Sequence, residues 1–75
     1  MLPLIYKYNG KFFIDKTQLS VKVNKDDICN DLYLAIYSEF LGAAENPLYR
    51  ELTFMEKMQK VNDFAHEWLR QRGLE

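Results

Sequence analysis

The sequence predicts an α+β fold, in which an N-terminal β-hairpin and a third antiparallel strand are followed by two main α-helices packed on the sheet. Two short runs rich in β-branched and aromatic residues flank an Asn-Gly dipeptide, and apolar residues alternate with polar ones shortly afterwards. From about residue 24 onwards, apolar residues recur at helical spacing between capping residues. Seventy-five residues suffice for one small core, so we expect a single domain over residues 1–75.

The hairpin is the most specific local signal. Asn9-Gly10 tolerates the two positive φ angles of a type I′ turn and lies between residues 4–8 and 11–14. A two-residue loop pairs Tyr8 with Lys11 and Ile5 with Ile14, which fixes the side chains on each face. One face then holds residues 4, 6, 8, 11 and 13, and the other holds residues 5, 7, 12 and 14. Both faces are partly apolar.

A third strand is predicted over residues 19–23. Leu19, Val21 and Val23 alternate with Ser20 and Lys22, so one side of this segment is apolar and can pack on a helix. An isolated two-stranded hairpin is only marginally stable in water, which favours an additional strand. The sequence leaves open whether this strand pairs with the first or the second strand of the hairpin.

The first long helix is predicted to begin near Asn24 or Asp26, either of which can cap it, and to run to about Leu41. Gly42 follows and is available for a left-handed stop. Asn46-Pro47 predicts a second, short helical turn, because proline is well tolerated at the first helical position.

The last helix is predicted to begin after Thr53 and to end at Gly73. Thr53 and Glu56 have the spacing of a capping box, in which each side chain bonds to the backbone amide of the other residue. The apolar residues of this helix fall on one half of its circumference, as expected for an amphipathic helix lying on a core. Leu74-Glu75 could be an expression remnant, and no structural role is expected of these two residues.

The first helix differs because it carries two apolar stripes. Residues 28, 29, 32, 35, 36 and 40 form one stripe, and Leu34, Tyr37 and Leu41 form a second stripe beside it. Either the sheet and the C-terminal helix cover one stripe each within a monomer, or the second stripe meets another copy or another protein. We expect a protein-interaction domain that forms a homodimer, with Leu34, Tyr37 and Leu41 as the contact residues and exposed hairpin aromatics as the second choice.

Charge suggests an alternative partner. Residues 1–25 contain five lysines and one aspartate, a net charge of +4, whereas residues 26–56 contain seven acids and one arginine, a net charge of −6. Lysines interleaved with aromatic residues can contact phosphates and stack on bases. The alternative function is therefore a nucleic-acid-binding regulator that uses the N-terminal sheet. Its candidate residues are Lys7, Lys11, Lys22, Tyr8 and Phe12.

Catalytic, cofactor and metal sites are not expected. Cys29, His66 and Asp63 are the residue types of a nucleophile, base and orienting acid, but Cys29 falls in an apolar stripe and His66 on the predicted solvent face. One cysteine and one histidine leave a structural zinc site short of ligands, and the three glycines lie at a turn and at helix ends. Because the sequence shows no long apolar stretch, no signal peptide and no pair of cysteines, we expect a cytoplasmic protein.

Overall fold

The computed structural model describes residues 2–20 and 24–75 and confirms the α+β fold. A β-hairpin precedes two long helices and one short one, and 3₁₀ turns at Lys16–Gln18 and Ala43–Glu45 lie in the connections. The elements in chain order are β1 (Ile5–Tyr8), β2 (Lys11–Ile14), α1 (Lys25–Phe40), α2 (Pro47–Arg50) and α3 (Phe54–Gln71).

The hairpin has the predicted turn and register. β1 and β2 are antiparallel, with Ile5 opposite Ile14 and Tyr8 opposite Lys11. Asn9 and Gly10 have φ values of 51° and 77°, as the two central positions of a type I′ turn require. The face that holds Ile5 and Ile14 is directed into the core, where these two side chains are buried.

The third strand is not seen in the part of the chain that the structure describes. The amide of Leu19 donates to the carbonyl of Lys16 and closes a 3₁₀ turn, whose first residues are held by the Asp15 side chain. Leu19 is buried as predicted, but neither Leu19 nor Ser20 belongs to a strand. Local hydrogen bonding thus replaces sheet pairing at the start of this segment. The remainder of the predicted strand, residues 21–23, lies outside the described residues.

α1 forms where it was predicted, but its ends differ from the expected ones. Asn24 occupies the N-cap position in a left-handed conformation with φ of 60°, and its side chain makes no capping hydrogen bond within the described residues. Gly42 has φ of −91°, so it does not provide a left-handed stop. The chain instead continues into the 3₁₀ turn at Ala43–Glu45, where the Glu45 amide donates to the Gly42 carbonyl.

α3 has both predicted ends. The Glu56 amide donates to the Thr53 hydroxyl, and the Thr53 amide donates to the Glu56 carboxylate, which completes the capping box. Gly73 has φ of 68°, and the Leu74 amide then reaches back to the Leu69 carbonyl at 2.9 Å.

The last two residues do have a structural role, contrary to expectation. Leu74 packs against the hydrophobic core, and its carbonyl accepts a 2.6 Å hydrogen bond from the Ser20 hydroxyl. The Glu75 carboxylate lies 2.7 Å from Nδ1 of His66. The left-handed Gly73 turns the chain back onto the fold and makes these contacts possible.

The core lies between the inner face of the hairpin and the two long helices. Two side chains hold the hairpin in place: the Asn62 amide of α3 bonds both the N–H and the C=O of Ile5, and the Tyr33 hydroxyl of α1 accepts from the Ile14 amide. β1 therefore packs on α3, and β2 contacts α1 through the side chains of Tyr33 and Tyr37. The buried apolar residues are Leu4, Ile5, Ile14, Leu19, Cys29, Leu32, Ile36, Val61, Ala65 and Leu69.

Candidate protein-interaction surface

The second stripe of α1 lies on the protein surface. Leu34 and Leu41 are 70% and 80% exposed, and Tyr37 is 45% exposed, whereas Leu32 and Ile36 on the inner side of the same helix are fully buried. Neither the sheet nor α3 covers the stripe in the described parts of the chain. These three residues are named the outer stripe below. Their spacing of three and four residues places them on neighbouring turns of one helix face.

The outer stripe continues onto the hairpin through an aromatic contact. The ring of Tyr37 lies 5.7 Å from that of Phe12 on β2, measured between centroids. Lys7 of β1 lies opposite Phe12 in the hairpin. Its ammonium group is 5.4 Å from the centroid of the Phe12 ring, within the range of a cation–π interaction. The apolar surface of α1 thus has a basic group at the border that it shares with the hairpin.

Acidic residues lie beside the N-terminal half of the outer stripe. Asp27 is in line with Leu34, seven residues before it, and Asp31 lies on the side of Leu34 opposite Tyr37. Both are exposed, and the described residues place no cation within 4.0 Å of their carboxylates. Asp26 differs, because its carboxylate lies 2.7 Å from the ammonium group of Lys16. This hydrogen bond lowers the pKa of Asp26 and raises the pKa of Lys16. Lys7 therefore lies on the hairpin side of the outer stripe, and Asp31 lies on its other side.

The residues predicted for nucleic-acid binding are divided between the two faces of the hairpin. Lys7 and Phe12 lie on the inner face, whereas Tyr8 and Lys11 lie on the outer face. Lys22 lies outside the described residues. The four described residues therefore do not share one face of the hairpin.

The outer face of the hairpin carries an aromatic cluster instead. The rings of Tyr6 and Phe13 are stacked at 5.6 Å with an interplanar angle of 17°, and Tyr8 meets Phe13 edge-on at 6.4 Å. All three are exposed, and Lys11 lies on the same face. The alternation of the two strands predicts this grouping once the inner face has been identified.

A cleft between β1 and the first half of α3 was not anticipated from the sequence. It has a volume of about 500 Å³, and its walls include the apolar side chains of Leu2, Phe54, Met55 and Met58. The amide side chains beside the cleft have hydrogen-bond partners within the protein. The Asn62 amide bonds the backbone of Ile5 and Met58, and the Gln18 amide donates to the carbonyls of residues 2 and 3. No buried side-chain polar atom of the described residues lacks a partner there or elsewhere.

The three residues considered for nucleophilic catalysis are not brought together. Cys29 is buried in the core, and this burial raises the pKa of its thiol. His66 contacts Glu75, and Asp63 accepts a hydrogen bond from Gln59. Over residues 2–20 and 24–75, no three His, Cys, Asp or Glu side chains are grouped as a metal ion would require.

No helix in the described ranges is both long enough and apolar enough to cross a membrane. Comparison with known proteins gives no match: no family model, curated protein or solved structure is significantly similar to this chain.

Proposed function

We propose that this chain is a small non-catalytic interaction domain that forms a homodimer through the outer stripe of α1. The observation that carries the proposal is the exposure of Leu34 and Leu41, 70% and 80%, on a helix whose other side is fully buried. Scattered exposed leucines are ordinary, but a contiguous apolar stripe on one helix face is typical of an interface.

The energetic argument favours a symmetric contact. Full burial of a leucine side chain stabilises a complex by roughly 1.5–3 kcal/mol, and a two-fold interface buries every stripe residue twice. Tyr37 adds a rigid aromatic surface whose hydroxyl can stay at the wet rim. The gain must exceed an association cost of several kcal/mol, so we expect a dimer that dissociates on dilution.

The test is molar mass against concentration, measured by sedimentation or light scattering. The chain has a mass of 9.0 kDa, so the expected mass approaches twice that value at high concentration. Leu34→Glu should keep the protein monomeric, because it places a charge at the centre of the contact. Leu2→Glu is the matched control, since Leu2 is 75% exposed but lies at the cleft beside β1.

A molar mass equal to that of one chain at every concentration would contradict the proposal. Equal weakening of the dimer by Leu34→Glu and Leu2→Glu would also contradict it. Tyr37→Glu gives a further check, because it should lower the dimer mass or the thermal stability. A cytoplasmic location forms part of the proposal, supported by the buried, unpaired thiol of Cys29.

A second candidate function is single-stranded nucleic-acid binding by the outer face of the hairpin. The stacked Tyr6–Phe13 pair, with Tyr8 at its edge, offers exposed rings on which bases can stack, and Lys11 can contact a phosphate. Fluorescence anisotropy with a labelled single-stranded oligonucleotide tests this function. Binding should weaken with salt and with Lys11→Glu, and no binding at low salt would exclude it.

A further inference from the structure

We propose that the cleft between β1 and α3 binds an extended acidic peptide, which adds a strand to the edge of β1. The site shares no residue with the outer stripe, so it goes beyond the proposed function and does not depend on the homodimer. Three features support it: an apolar wall on α3, an open backbone edge on β1, and a lining that contains no acidic side chain among the described residues.

The first feature is a group of apolar side chains in a concave site. Phe54 and Met55 are 59% and 75% exposed in the first turn of α3, and they line the cleft together with the partly buried Met58. These three residues are named the apolar wall below. A cleft of about 500 Å³ lies within the size range of ligand sites, and flexible methionine side chains adapt to the groups that they contact. The apolar wall is therefore suited to apolar side chains of a partner.

The second feature is the direction of the backbone groups of β1. The Asp15 amide donates to the Leu4 carbonyl across the hairpin, whereas the N–H and C=O of Ile5 point away from β2 and bond the Asn62 side chain of α3. Backbone groups alternate in direction along a strand, so those of Lys7 point the same way as those of Ile5. Within the described residues, nothing outside the hairpin bonds to the backbone groups of Lys7, which also lines the cleft. The edge of β1 is therefore open where it borders the cleft.

The open edge lies towards the apolar wall. The Ser20 hydroxyl bonds the Leu74 carbonyl beyond the C-terminal end of α3, and Gln18, two residues earlier, bonds the carbonyls of residues 2 and 3. The start of β1 therefore lies towards the C-terminal end of α3. Lys7, at the other end of β1, lies towards the N-terminal end of α3, which carries the apolar wall.

Asn62 shows how this edge accepts a partner. Its carboxamide accepts from the Ile5 N–H at 2.8 Å and donates to the Ile5 carbonyl at 2.9 Å, the two kinds of bond that a residue of a neighbouring antiparallel strand makes. An extended peptide can make the same two bonds at Lys7, the next outward pair of groups. In this mode of recognition the backbone bonds hold the peptide, and alternate side chains enter the pocket beside the edge.

The third feature is charge, which determines the acidic character of the peptide. Lys7 lines the cleft and Lys11 is exposed on the neighbouring strand, and no carboxylate of the described residues lies within 4.0 Å of either ammonium group. The acids that bond to lining residues, Asp63 and Glu75, follow Asn62 in the chain and belong to the other half of the cleft. An acidic peptide at the open edge therefore meets positive charge, whereas a basic peptide meets like charge.

The binding test uses a synthetic peptide in which valine and threonine alternate between acidic ends. In amide NMR spectra of the protein, the Lys7 amide should show one of the largest shifts on addition of this peptide. A matched peptide with lysine ends should bind about tenfold more weakly at low salt. Absence of binding, equal binding of both peptides, or binding that leaves the Lys7 amide unchanged would each overturn the assignment.

Methylation of each peptide amide nitrogen in turn tests the added strand. Only every second N–H of an added strand faces β1, so the losses should alternate along the peptide. Methylation at a paired position should weaken binding by about tenfold, because it removes a hydrogen bond. Equal losses at all positions would show that the peptide is not paired as a strand.

A pair of protein variants tests the apolar wall. Met55→Gln should weaken binding by about fivefold, because it replaces an apolar contact with a polar group. Leu48→Gln is the matched control, since Leu48 is 76% exposed on α2 and does not line the cleft. Equal losses would contradict the site. A Lys7 amide that shifts with protein concentration alone would identify a second copy as the occupant and overturn the peptide. The molar-mass measurement tests the homodimer separately, because the outer stripe is outside the cleft.

Discussion

The two long helices, α1 and α3, are similar in length but differ in the side that faces solvent. Both bury three residues in the core, and α3 exposes charged and amide side chains over most of its remaining surface. The corresponding side of α1 carries the outer stripe. α3 leaves large apolar side chains exposed only in its first turn, where Phe54 and Met55 line the cleft, whereas α1 carries exposed apolar residues along one face. The difference identifies α1 as the element to test for homodimer formation.

Truncation of neighbouring leucines in α1 should give the largest contrast. Leu32→Ala removes a fully buried side chain and should lower the free energy of unfolding by about 2–5 kcal/mol. Leu34→Ala removes a 70% exposed side chain and should change it by less than about 0.5 kcal/mol. Urea unfolding at a concentration where the protein is monomeric measures both.

In a dimerisation assay the ranking should reverse, and Leu34→Ala should have a larger effect than Leu32→Ala. Leu34→Ala should weaken the dimer, because it reduces the apolar area buried in the contact without disturbing the fold. If Leu34→Ala destabilised the monomer as much as Leu32→Ala does, the outer stripe would belong to the core, and the contrast between α1 and α3 would disappear.

Two asparagines, one on each helix, provide the next contrast. Asn62 of α3 bonds both polar groups of the Ile5 backbone, and Asn62→Ala should destabilise the protein by about 1–3 kcal/mol, because it leaves part-buried groups unpaired. Asn30 of α1 is exposed, and Asn30→Ala should be neutral or slightly stabilising in the monomer. Thermal unfolding compares the two, and equal destabilisation would show that Asn62 does not anchor β1.

The elements that the sequence predicts correctly are those set by local chemistry. The Asn9-Gly10 turn, the Thr53 capping box and the left-handed Gly73 each depend on residues within a few positions of one another. The predicted third strand failed at Leu19, because a 3₁₀ turn uses its amide. Alternating hydrophobicity shows which side chains can be buried, but it does not show which backbone groups remain free to pair.

The candidate surface was predictable only in part, for a similar reason. The spacing of Leu34, Tyr37 and Leu41 indicates a second apolar stripe, but two coverings were possible until the helices were placed. The contact between Tyr37 and Phe12 joins residues 25 positions apart, and the cleft beside β1 joins the N-terminus to α3. Tertiary packing determines both features, and no local pattern encodes them.

The N-terminal caps of the two helices should respond differently to substitution. Thr53→Ala removes the side-chain half of the α3 capping box and should cost about 1 kcal/mol of unfolding free energy. Asn24→Gly at the start of α1 should cost nothing or stabilise, because Asn24 has φ of 60° and makes no capping bond within the described residues. Equal losses in urea unfolding would mean that Asn24 also caps its helix.

The smallest expected effect concerns the loss of folding stability at acidic pH, to which the α3 cap contributes. Hydrogen bonds from the Thr53 backbone and side chain lower the pKa of Glu56 in the folded protein, whereas in the unfolded chain the pKa has its ordinary value. The stabilisation is therefore present above that ordinary value and is lost as the pH falls through the folded pKa. Glu56→Gln keeps an oxygen that can accept from the Thr53 amide but does not titrate, so its melting temperature should fall less steeply between about pH 5 and pH 3. Glu39→Gln removes an exposed carboxylate from α1 and serves as the control. If both variants followed the wild-type curve, the cap would act through its geometry alone, and the acid sensitivity of the fold would have to lie outside the start of α3.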